Sequence, residues 1–188
     1  YSTSCAVYKE FFARFYETVT FQRVNLRAIL RFKQNCGKII TAPIGAPKTN
    51  CKGANAMSII RDASLWRSGQ DKIDWVKSSM PGLSGIAARL EEEQPLRGLR
   101  VAMSIHLEAK TAYLATVLAA GGAQVAVTGG NPLSTQDDVA AALDHAGYAV
   151  YAWHGASAEE YTAHLTETLS IHPELIIDDG GDLVQLLH

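Results

Sequence analysis

Between residues 100 and 177 four short apolar runs alternate with three helix-length stretches, and few folds tolerate that rhythm. Arg100–Ile105 reads as a strand, and Ala109–Ala120, rich in Ala and Leu, as a helix stopped by Gly121-Gly122. Residues 124–127 form a second strand closed by Gly129-Gly130, and Asp137–His145 a second helix with Gly147 as its stop signal. Residues 149–153 read as a third strand. Ser157-Ala158-Glu159-Glu160 has the Ser-x-x-Glu form of a capping box and opens a helix to about residue 170. Residues 175–177 are the fourth strand. Each connection is long enough for a crossover, so the chain is predicted to be α/β, a parallel sheet with helices on both faces. Right-handed crossovers place the carboxyl ends of all four strands along one edge. His106, the loop 129–136, the His154-Gly155 turn and the run Asp178-Asp179-Gly180-Gly181-Asp182 all fall there. In open α/β sheets that edge is where ligands sit.

Ahead of the alternation, residues 58–90 read as a polar-to-amphipathic helical stretch. Ile73, Val76, Met80, Leu83, Ile86 and Leu90 recur at three- and four-residue steps. Pro81 inside this pattern should break or kink it. Gln94-Pro95-Leu96-Arg97-Gly98 is a turn.

Charge divides the chain in two. Residues 1–56 hold nine Lys/Arg against Glu10 and Glu17, a net of +7, whereas residues 57–188 carry −9. All three cysteines (Cys5, Cys36, Cys51) lie in the first segment and all six histidines in the second. The expected division is a basic segment of unassigned role over 1–56 and an α/β domain over 57–188, with Met57 at the junction. Residues 6–34 mix aromatic, aliphatic and arginine residues as a basic amphipathic helix would. Three readings stay open for this segment: an Arg-rich targeting peptide, a basic arm that docks on an acidic surface, or a stretch upstream of a start at Met57. No apolar run is long enough to cross a bilayer, so no membrane role is expected. The cysteines match no metal spacing, and their absence from the second segment fits a reducing, cytoplasmic compartment. Nucleic acid is not an expected partner, because the segment with the fold signal is acidic.

Carboxylates at a strand end lose hydration and gain nothing unless they bind something, so the acid run points to a polar small-molecule site. Calcium binding or a solvated turn are the alternatives for Asp178, Asp179 and Asp182, although their spacing is not that of an EF-hand loop. Two adjacent carboxylates in a shielded site would repel, raising one pKa into a useful acid/base range. With His106 nearby, proton transfer becomes feasible. A lone histidine here could equally cap a helix. Glu108 and Lys110, two apart, would not share a face of a helix but could both reach one ligand from an irregular segment. In the loop ahead of the second helix, Ser134 or Thr135 is expected to cap it, with Asp137 and Asp138 favouring its positive end. Whether Asn131 and Gln136 also face the ligand stays open. No glycine-rich dinucleotide fingerprint, phosphate-binding loop or Gly-x-Ser-x-Gly elbow is present, and no metal site is expected.

From about residue 62 to residue 188 the sequence resembles the amino-terminal part of the S-adenosylhomocysteine hydrolase (adenosylhomocysteinase) family. The matching stretches are residues 69–75, Met80-Pro81, residues 95–98, residues 104–114, residues 131–138 and residues 178–183. The most specific are Ser134-Thr135-Gln136-Asp137 and Asp178-Asp179-Gly180-Gly181-Asp182. The resemblance implies a Rossmann- or flavodoxin-like substrate domain of a hydrolase that works through tightly held NAD. The family oxidises the ribose 3′-hydroxyl, eliminates homocysteine from C5′, adds water and reduces the ketone again, as part of the methyl cycle of one-carbon metabolism. By the same resemblance His106 and Asp179 are the acid/base pair. Glu108, Lys110, Thr111, Asn131, Ser134, Thr135, Gln136 and Asp182 bind or support the substrate.

Two departures qualify the resemblance. Better-known members carry Thr and then Glu or Gln where this chain has Glu108 and Lys110. An ammonium only donates, which suits the 6-carbonyl of hypoxanthine better than the 6-amino group of adenine, so S-inosylhomocysteine is an alternative substrate. The sequence also stops at His188, ahead of the family's Glu-Thr-Thr-Thr segment, its catalytic Lys and Asp, and its NAD domain. The expectation is a truncated domain with no cofactor-binding residues, inactive alone and poorly folded because its sheet lacks neighbours, and a homo-tetramer at full length. A non-catalytic relative that binds a nucleoside or a protein partner is the competing class.

Overall fold

Successive side chains of a strand point to opposite faces of its sheet. In β2 (Arg100–Ile105) the consecutive residues Val101, Ala102 and Met103 are all fully buried, so both faces of that strand are covered. The computed structural model describes residues 58–188 and, from the stretch before them, the two-residue strand β1 (Gln22–Arg23). The calls on the rest of 1–57, including targeting, docking and a start at Met57, lie outside the described residues. At Gln22 and Arg23 themselves the expected helix gives way to a strand that pairs antiparallel with residues 175–176.

The four predicted strands are present and mutually parallel: β2, β3 (Gln124–Gly129), β4 (Ala149–Tyr151) and β5 (Leu175–Asp178). The sheet order is β1-β5-β2-β3-β4. From β2 the chain steps outward through α3 (Ala109–Ala120) to β3 and through α4 (Asp137–His145) to β4. It then returns across the opposite face through α5 (Ala158–Leu169), inserts β5 beside β2, and ends in α6 (Asp182–Leu187). Val101, Met103, Leu107, Val127 and Ile177 pack with α3 and α4 on one side, while Ala102, Leu165, Ile176 and Leu183 pack on the other. Helices therefore cover both faces, as predicted, and the winding reverses between β2 and β5.

Several boundaries differ from expectation. β3 continues to Gly129 because Thr128 and Gly129 still pair with Ser104 and Ile105. β4 ends at Tyr151, since Trp153 leaves the ladder to pack edge-on against His164, ring centroids 4.2 Å apart. The first residues of the 58–90 stretch are extended, not helical, and Ile59 bridges in parallel to Tyr151. The helix proper divides into α1 (Trp66–Ser79) and α2 (Pro81–Glu93). The division falls where Pro81 forces Met80 out of helical geometry (φ −121°, ψ 64°) and then serves as the first residue of α2. Ile86, expected on the buried stripe, is exposed. Beyond the four parallel strands, β1 lies beside β5 and Ile59 makes a single bridge to β4.

Candidate active site at the carboxyl edge of the sheet

β2 delivers His106 to the edge, and the loop after β3 meets it there. The His106 Nδ1 lies 2.5 Å from the Ser134 hydroxyl. The same hydroxyl lies 3.0 Å from the Asn131 carbonyl; when it donates there, it accepts from His106 Nδ1–H. In that arrangement Nε2 carries the free lone pair. Nε2 faces Asp179 Oδ2 at 3.8 Å. Asp179 follows β5, the strand inserted next to β2, and its N–H donates to the Ser104 carbonyl at 3.2 Å. Gly130 makes room for it: a Cβ there would stand 2.5 Å from Asp179 Oδ1. The His106 and Asp179 side chains are 57% and 28% exposed, so they stand on an open rim. The described residues do not enclose a cleft of nucleoside size around them. Behind the rim lies a shallow indentation lined in part by Thr128, Thr135, Trp153, Tyr161 and His164.

Asp178 departs from expectation. It is 1% exposed, and its carboxylate accepts from the N–H groups of Gly180, Gly181 and Leu183 at 2.9–3.1 Å and of Val184 at 3.4 Å. These include the free donors at the amino end of α6, so Asp178 is a structural anchor and not one of two carboxylates repelling each other in a site. Gly181, at φ +80°, makes the turn that allows this. Asp182 is turned inward, and its Oδ2 accepts from the Tyr161 hydroxyl at 2.8 Å.

Glu108 holds an extended conformation ahead of α3, and there it reaches Lys110, with 3.6 Å between carboxylate and ammonium. The irregular segment thus brings the two charges together on the rim. Thr111 and Thr135 are buried. Neither Ser134 nor Thr135 caps α4. Gln136 occupies the cap position without a side-chain bond, its amide oxygen accepting from Lys72 at 3.0 Å. Asn131 accepts from the N–H of Leu133 and caps the short 3-10 turn Pro132–Ser134. Asp137 accepts from the N–H of His154 at 2.7 Å. Asp138 pairs with Lys72 at 2.7 Å and accepts from Ser68 at 2.8 Å. Burial pushes the Asp138 carboxyl up, but these partners outweigh it and hold the group below the ordinary carboxylate range.

The match to a family model described as S-adenosyl-L-homocysteine hydrolase runs over residues 57–188, the whole α/β unit. The chain belongs to the S-adenosyl-L-homocysteine hydrolase family. It is 53% identical over 129 residues to a protein named S-inosyl-L-homocysteine hydrolase from Methanocaldococcus jannaschii, covering 69% of this chain and 31% of the relative. A protein of the same name from Methanopyrus kandleri is also 53% identical over 129 residues, 69% of this chain and 30% of that one. The adenosylhomocysteinase of Pyrococcus abyssi is 50% identical over 129 residues, 69% of this chain and 31% of the relative. The chain thus spans about a third of the length of the curated relatives it matches.

Within this S-adenosyl-L-homocysteine hydrolase unit, the structure brings His106, Ser134 and Asp179 together and sets Glu108 and Lys110 beside each other. It draws Gln136 toward α1 and Asp182 toward α5. Sequence reasoning missed Lys72 and Tyr161. Both sit inside amphipathic helices, where a polar residue carries no mark of its distant partner.

Proposed function

We propose that this chain is part of an enzyme that hydrolyses S-adenosyl-L-homocysteine to adenosine and L-homocysteine, with residues 57–188 as its substrate-binding domain. The observation that carries the reading is the 3.8 Å approach of His106 Nε2 to Asp179 Oδ2 at the point where the sheet reverses its winding. In the overall reaction the C5′–S bond breaks, a C5′–O bond forms, one proton goes to sulfur and one leaves water. An imidazole whose other nitrogen is fixed by Ser134, beside a partly exposed carboxylate, supports both proton transfers. Family membership supports dependence on NAD, which supplies reversible oxidation of the ribose when bound. The described residues do not fit that cofactor. Asp178 already occupies the N–H groups at the start of α6, where a pyrophosphate would need them, and a carboxylate side chain, Glu108, opens α3. We place the NAD site in other parts of a tetrameric, cytoplasmic full-length enzyme. Among the described residues no helix is long and apolar enough to cross a membrane.

A second reading, S-inosyl-L-homocysteine as the substrate, is favoured by the Glu108–Lys110 pair. Side by side, an ammonium and a carboxylate complement the 6-carbonyl and N1–H of hypoxanthine. The test is thiol release from both thioethers by the full-length protein, alone and with Lys110→Gln. Release from neither would end the proposal. A preference for the inosyl thioether that Lys110→Gln reverses by about tenfold or more, the order of one discriminating hydrogen-bonded contact, establishes the second reading. An adenosyl preference with Lys110 intact leaves the first.

A further inference from the structure

Tyr161 belongs to α5, on the face of the sheet opposite α3 and α4, yet its hydroxyl reaches the carboxyl edge. It lies 2.8 Å from Asp182 Oδ2 and 3.2 Å from the Gly130 carbonyl, donating toward both. Those two acceptors belong to different loops. Gly130 opens the loop that carries Ser134, the partner of His106, and its Cα faces the Asp179 carboxylate. Asp182 closes the loop that carries Asp179, whose other end is held by Asp178. We infer that Tyr161 is a positioning residue that ties the His106-bearing and Asp179-bearing sides of the rim together and so sets the separation of the proton-transfer pair.

Three features of the surroundings suit that role. Burial, and then the neighbouring Asp182, raises the phenol well above its ordinary value, so it remains a donor at every pH where the enzyme works. Gly130 has no side chain to buffer a movement, and any shift of its backbone is felt at once by Asp179 Oδ1. Asp182, a member of the acid run, has an oxygen committed to Tyr161, which gives it a structural use alongside any contact with substrate.

The inference rests on the proposed hydrolase reading, and the test separates the two. In the full-length protein, Tyr161→Phe should lower kcat for thioether hydrolysis about ten- to a hundredfold, as expected for misplacement on the order of 1 Å, while KM changes less than about threefold. Asp182→Ala should reproduce the loss, and the double variant should be no worse than the more damaged single one, because both remove one interaction. Independently of turnover, a crystal structure of Tyr161→Phe should show the His106 Nε2 to Asp179 Oδ2 separation changed by more than about 0.5 Å, the tolerance of a preorganised site. An unchanged separation, or an unchanged kcat in a wild type that hydrolyses thioethers, overturns the inference. If the wild type releases no homocysteine, the hydrolase reading fails and the crystallographic arm alone decides whether Tyr161 sets the pair.

Discussion

Gly130 owes its importance to what it lacks. Its backbone is not in the left-handed region, so alanine meets no torsional penalty, yet the added methyl would stand 2.5 Å from Asp179 Oδ1 and 3.3 Å from the Ser104 carbonyl. The carboxylate has to move. Gly130→Ala should therefore lower thioether turnover by about tenfold or more while shifting the melting temperature by only a few degrees, as steady-state kinetics and a thermal scan on the same preparation would show. At this scale the sequence was partly legible. His106 and Asp179 could be placed at one edge because each directly follows a strand that periodicity identifies. Asp178 and Asp179 could not be told apart, because adjacency in the chain says nothing about which one turns back to collect N–H groups. The Ser134–His106 bond was likewise hidden, since a hydroxyl ahead of a helix looks the same whether it caps or holds an imidazole.

Between elements, α1 and α4 meet closely along one seam. Gly69 is buried there, and a Cβ on it would fall 1.9 Å from the Asp138 carbonyl oxygen. The helices are then cross-tied by Lys72 and Ser68, both to Asp138. Gly69→Ala should force them apart and destabilise the fold by about 1–3 kcal/mol, the usual range for overpacking, read from denaturant midpoints at unchanged slope. The elements were well legible. The spacing of Ile73, Val76 and Leu83 located the buried stripe, Pro81 marked the break, and the Ser157–Glu160 capping box forms with both of its bonds. The bridge from Ile59 to Tyr151 was not foreseen, because one residue pairing across most of the domain leaves no periodic trace. Ile86 went the other way: three- and four-residue steps placed it on the stripe, but the break at Pro81 rotates α2 so that it faces solvent.

At the scale of the whole molecule, His164 and Asp138 are two of the described groups that tie stability to acidity. His164 is 2% exposed against Trp153, and burial lowers its pKa from the ordinary 6.5 despite an opposing pull from Glu160. A lowered folded value means the neutral form is favoured in the native state. Its contribution is complete above the unfolded pKa and is lost as pH falls below about 6.5 toward the folded value. Asp138 is also lowered, from 3.8, so its contribution is present above that value and is lost as pH falls through the folded one. Urea midpoints between neutral pH and pH 3 should therefore decline in two stages. His164→Leu should remove the upper stage, and Asp138→Asn should weaken the lower, to which Asp62 and Glu159, also lowered by hydrogen bonds, contribute. A profile that His164→Leu leaves unaltered would contradict the assignment.

The order of the strands has one more consequence. The imidazole leaves the first parallel strand to be made, and the carboxylate that faces it leaves the last, which slots in beside the first. A nascent or misassembled chain with three strands in place holds a base with no acid opposite it. On the proposed hydrolase reading, the proton-transfer pair is complete only once that final strand is inserted.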